Sequence, residues 1–135
     1  MTFVPSKFLR FALGADAAAS GALGVLCAAG AGQLSGLLGL PEPLLRWAGI
    51  ALLPWAALVA YIAARPTLYP GAVWAVIGLN VVWAIDSFGL IVGGQVSPTG
   101  LGMAFVVVQA LAVLALAECE FIGLKQSRAS HTALA

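Results

Sequence analysis

Apolar residues run along this chain in four long stretches, separated by three short segments in which glycine, proline and charged residues gather. The stretches cover about Phe8–Ala31, Leu44–Ala64, Gly71–Val92 and Leu101–Leu124. Each holds about 20 residues or more, which at about 1.5 Å rise per residue matches the roughly 30 Å of a bilayer's hydrocarbon. The pattern predicts an all-α fold, an integral membrane four-helix transmembrane bundle forming one domain over residues 1–135.

The connections sharpen that picture. Gly32 to Pro43 interleaves Leu34, Leu37, Leu38 and Leu40 with glycines, and predicts a short helical turn lying among the lipid headgroups. Arg65, Pro66, Tyr69 and Pro70 make the second connection, where prolines end a helix and a tyrosine suits the interface. The third, Gly93–Gly100, is tight enough to make the last two spans an antiparallel hairpin. The tail 126–135, with Ser127, Ser130, His131 and Thr132, lacks an apolar face and is expected to be flexible.

Charge orients the bundle. Lys7, Arg10, Arg65, Lys125 and Arg128 flank one side and Arg46 alone the other, so the positive-inside bias places both termini in the cytoplasm. An even number of spans requires the same. A competing reading of the first stretch is a secretory signal, with Lys7 and Arg10 ahead of an apolar run and Ala29 and Ala31 spaced as a cleavage site. Asp16 interrupts that run, which also exceeds the roughly 7–15 residues of a signal core. Cleavage there would leave three spans in the same orientation.

Composition removes whole classes of function. With 62% apolar and 8% charged residues and a mean hydropathy of +1.06, a water-soluble domain is excluded. Six basic and five acidic residues without a basic run leave no footprint for nucleic acid. The single histidine, His131, rules out bis-histidine haem and argues against an ordinary metal site. Cys27 and Cys119 form no Cys-x-x-Cys pair, and no phosphate loop, nucleophile elbow or zinc-protease motif occurs. Neither a cofactor nor an enzymatic activity is expected.

What remains is polar chemistry at depth, where a carboxylate costs about 2.5–3.5 kcal/mol and must find a partner, a wet cavity or a proton. Asp16 lies about two turns into the first span, with Ser20, Gly24 and Cys27 following at helical spacing on one face. The face reads as a proton or cation site, or as a hydrogen-bonding stripe that fixes packing. Asn80, Trp83 and Ser87 share a face of the third span, with Asp86 beside it, and Gln109 stands mid-way along the fourth. Glu120 is expected to reach the interface, and Glu118, deeper, to meet Asp16. Asp16, Ser20, Asn80, Gln109 and Glu118 are thus the candidate site. Gly14 with Ala18, Ser20 with Gly24 and Gly89 with Gly93 predict close helix approach. Pro54 predicts a bend in the second span, and Trp47 and Trp74 suit interfacial anchoring.

In layout the whole chain resembles the small four-helix inner-membrane proteins of bacteria, which implies a multi-pass protein of a bacterial inner membrane. Asp16 also resembles the acidic residue early in the first helix of small multidrug-resistance transporters, which implies a coupling site there. That family carries a glutamate at this place, has shorter chains, and has a second-helix motif without counterpart around Pro54, Trp55 and Tyr61. Two expectations follow. The first is a small proton-linked transporter or small-molecule or lipid-binding bundle. The second is a non-catalytic structural or accessory subunit of a larger membrane complex. Its partners are then the lipid bilayer and either further copies of itself or another membrane protein.

Overall fold

The computed structural model describes the backbone of residues 1–134 and the side chains of residues 1–130. Four helices follow one another: α1 (Lys7–Leu38), α2 (Glu42–Ala64), α3 (Pro70–Val92) and α4 (Gly100–Leu134). Each is long and apolar enough to cross a membrane. Ser6 caps α1 by accepting from the Leu9 N–H, and Pro43 and Pro70 stand in the first turns of α2 and α3, where a missing N–H costs nothing.

Two boundaries differ from the sequence reading. The headgroup turn expected over Gly32–Pro43 is instead the last two turns of α1, which runs on to Leu38 and passes unbroken through Ala29 and Ala31. Gly39 then stops it in the left-handed conformation, φ 69°, with its N–H on the Ser35 carbonyl. At the other end of the chain the expected flexible tail is helical as far as Leu134. Ser127 is buried, donates to the Gly123 carbonyl at 2.7 Å and accepts from the Ser6 N–H at 2.8 Å. A short polar stripe inside an otherwise apolar helix is enough to dock this segment. The side chains of His131 and Thr132 lie outside the described residues. α2 continues through Pro54 as one helix.

Close backbone packing joins α1 to α2, α1 to α4 and α3 to α4. α1 and α4 are therefore the inner pair of the order α2–α1–α4–α3, and α2 and α3, though consecutive, make little close backbone contact with each other. Their side chains meet near the end where the chain connects them. There Val59 of α2 joins Val73, Val76 and Ile77 of α3 in a core with Leu9, Leu13, Ala117 and Leu124. Towards the opposite end a smaller core of Cys27, Ala31, Leu38, Leu45 and Val106 holds α1, α2 and α4 together. The space between α2 and α3 is thus filled near the end carrying the termini, and a cavity separates the two helices towards the other, the spread end.

Polar groups lock both ends. Phe3 and Leu68 exchange backbone hydrogen bonds of 2.9 Å, tying the N-terminal segment to the α2–α3 connection. The Arg10 guanidinium donates to the carbonyls of Ala63 (2.6 Å) and Arg65 (3.0 Å), groups that the last turn of α2 leaves without partners. Arg10→Met should therefore lower stability by about 1–2 kcal/mol, the scale of hydrogen bonds to a partly solvated charge. Denaturant unfolding in detergent micelles measures it. At the spread end Thr99 serves α1 instead, with its N–H on the Leu38 carbonyl and its hydroxyl on that of Leu37.

Candidate functional site

Asp16 is wholly buried. Ten residues or so from the helix ends, at about 14–15 Å of axial rise, Asp16 and Asn80 reach comparable depth on α1 and α3. Ser20, one turn on in α1, donates to Asp16 Oδ1 at 3.1 Å. The Asn80 amide nitrogen donates to Asp16 Oδ2 at 2.7 Å and to Glu120 Oε2 at 3.3 Å. One amide thus spends both its hydrogens on two carboxyl groups from two other helices. Both carboxyls thus converge on one amide nitrogen. Glu120 is completely buried, and its Oε1 has no hydrogen-bond partner among the described residues.

Three of the expected site residues, Asp16, Ser20 and Asn80, are therefore brought together. Glu118 is not among them. It lies exposed on the outer surface of α4, and Glu120, expected at the interface, takes the place beside Asp16. The two glutamates are two residues apart, about 200° around a helix, so only one of them can face inward. The sequence does carry a signal for the right one. Gly123 and Ser127 follow Glu120 at helical spacing, whereas Phe121, Ile122 and Lys125 follow Glu118.

Gln109 belongs to a second, neighbouring network. The Trp83 indole donates to its Oε1 at 2.8 Å, and its Nε2 donates to Ser87 Oγ and the Val106 carbonyl, both at 2.9 Å. Ser87 in turn donates to the Trp83 carbonyl at 2.8 Å. This hydrogen bonding fixes α3 against α4 and sets the Trp83 ring.

Both networks border the space left by the divergence of α2 and α3. One cavity of about 430 Å³ is lined by Ser20, Asn80, Trp83, Asp86 and Gln109 among apolar side chains of all four helices. A second of about 320 Å³ lies towards the spread end and reaches Cys27 and Ser87. The two share Leu23, Leu52, Trp83, Asp86 and Gln109, so they form one cleft. Asp16 and Glu120 lie behind its inner wall, touching it through Ser20 and Asn80. Trp55 faces the cleft too, while Trp47 and Trp74 are on the outer surface.

Among the expected close-approach positions, Gly24 does meet a neighbouring helix. The partner, Gly49 of α2, is one the sequence gave no reason to single out: a Cβ added there would sit 2.4 Å from the Ala28 nitrogen. Around Gly14 and Gly89 there is open space.

Comparison with protein-family models, curated proteins and solved structures finds no match for this chain.

Proposed function

We propose that this is a multi-pass protein of a bacterial inner membrane, with both termini cytoplasmic, that binds a small bilayer-soluble molecule in the α2–α3 cleft and links its binding to a proton on the Asp16–Glu120 pair. The carrying observation is the Asp16–Asn80–Glu120 cluster, buried at the inner wall of a large apolar cleft. Two buried carboxyls that converge on one amide nitrogen, with neutral hydroxyl and amide donors around them, hold one proton between them at far lower cost than two charges. Asn80 touches both the pair and the cleft. A ligand that pulls on Asn80 alters the donor that the pair depends on, and gain or loss of the proton alters Asn80. Such reciprocity is what a proton-linked carrier needs.

The accessory-subunit reading draws on the same cluster, since it also ties α1, α3 and α4 together. Two readouts on Asp16→Asn and Glu120→Gln separate the readings. Infrared spectroscopy of the protein in lipid should show a protonated-carboxyl band that either substitution removes and Glu118→Gln leaves intact. Native mass spectrometry from mild detergent should show a small-molecule adduct on the wild type that Asp16→Asn loses. A wild type with neither band nor adduct would leave the cluster a packing device only.

A further inference from the structure

The cleft's hydrogen-bonding capacity is one-sided. Apart from Trp55, six side chains with polar nitrogen or oxygen atoms border it, and, the weak thiol donor of Cys27 aside, each polar hydrogen these six own is already spent inside the protein. The Ser20 hydroxyl goes to Asp16, and both Asn80 amide hydrogens go to Asp16 and Glu120. The Trp83 N–H goes to Gln109, the two Gln109 amide hydrogens go to Ser87 and Val106, and the Ser87 hydroxyl goes to the Trp83 carbonyl. Asp86, the sixth, has acceptor oxygens only when ionised. The amide orientations follow from their partners. The Asn80 atom facing two carboxylate oxygens and the Gln109 atom facing a carbonyl oxygen are nitrogens, because an oxygen there would set acceptor against acceptor.

What these groups still offer is acceptor capacity: the Asn80 amide oxygen, the second lone pair of the Gln109 oxygen, the Ser20 and Ser87 oxygens, and the Asp86 carboxylate. Among the described residues no basic side chain lines either cavity. Resting on the small-molecule reading above, we infer that the cleft selects lipophilic molecules whose head group is a hydrogen-bond donor, and favours a primary or secondary ammonium over all others. Its apolar walls take the body of the ligand. Its acceptors and the Asp86 charge take N–H groups, while carboxylates, phosphates, ethers and ketones find no free N–H or O–H among these six side chains to receive them. A quaternary ammonium brings charge without N–H and should bind less well than a primary amine of equal length.

A Trp47→Phe/Trp74→Phe variant keeps only the two cleft tryptophans of the chain's four, Trp55 and Trp83, as fluorescent reporters. In lipid nanodiscs, it is titrated with dodecylamine, dodecanol, dodecyl methyl ether, dodecanoate and dodecyltrimethylammonium. The amine should bind about tenfold or more tightly than the ether, as one charge-assisted hydrogen bond provides. Dodecanol should fall between them, and Asp86→Asn should bring the amine to the level of the alcohol. Equal binding of ether and amine, or tighter binding of dodecanoate or the quaternary ion, would overturn the head-group assignment while leaving a binding cleft. Failure of all five to change the fluorescence would overturn that assignment and the binding reading together.

Discussion

Asn80→Leu should destabilise the bundle by about 3 kcal/mol, several times the cost of losing an ordinary hydrogen bond between membrane helices. Such bonds average about 0.6 kcal/mol, because helices that come apart in lipid find other partners. Asn80 is different because its one nitrogen serves two buried carboxyls. Leucine leaves both without that donor, and truncating one member of a buried charged network costs about 3–5 kcal/mol. The background decides whether this explanation holds. In Asp16→Asn/Glu120→Gln the two new amides can donate to each other, so Asn80→Leu should then cost less than about 1 kcal/mol. Reversible unfolding in bicelles, run as a double-mutant cycle, gives the coupling directly. An equal cost in both backgrounds would mean that Asn80 contributes by packing and not by bridging α1 to α4.

Gly49→Val should abolish the α1–α2 crossing, and Gly49→Ala should weaken it by about 2–3 kcal/mol, the upper range for overpacking. A Cβ at Gly49 would stand 2.4 Å from the Ala28 nitrogen, 2.7 Å from the Gly24 oxygen and 2.9 Å from the Cys27 carbonyl carbon. All three are backbone atoms of a helix. No rotamer change relieves them, so the helices must part by about 1 Å to restore a 3.4 Å contact. Cys27 reports the result, being buried beside this crossing, whereas Cys119 on α4 is half-exposed. Maleimide labelling of Cys27 should rise sharply in Gly49→Ala while that of Cys119 stays level. A Cys27 as protected as in the wild type would show that the crossing accommodates a methyl group.

The same atoms explain what sequence reading could reach. Four spans and their ends follow from apolar length, a property of each segment alone. Asp16, Ser20 and Asn80 were legible for a related reason: at mid-span a polar side chain has nowhere to go but inward. Glu118 and Glu120 were not, because near a span's end depth permits either outcome and the choice belongs to the rotation of α4. That helix is apolar all round over most of its length, so its rotation had to be read from Gly123 and Ser127. The extra turns of α1 escape the sequence pattern because Gly32 and Gly36 read as breakers in water. In an apolar setting the helix keeps its backbone hydrogen bonds through such residues, since nothing else would satisfy them. The α2–α3 cleft had no sequence signature at all. It arises from which helices fail to pack.

Asp16 and its amide donor on α3 are separated by 64 residues. At roughly 5–20 residues per second of synthesis, the first helix waits about 3–13 seconds before Asn80 exists. During that interval its carboxyl has only Ser20, and the lone helix carries an insertion penalty of about 2.5–3.5 kcal/mol. On the membrane reading proposed above, the growing chain is sheltered at the insertion machinery until its third helix arrives. For this small protein, biogenesis is a test of patience that the finished bundle no longer shows.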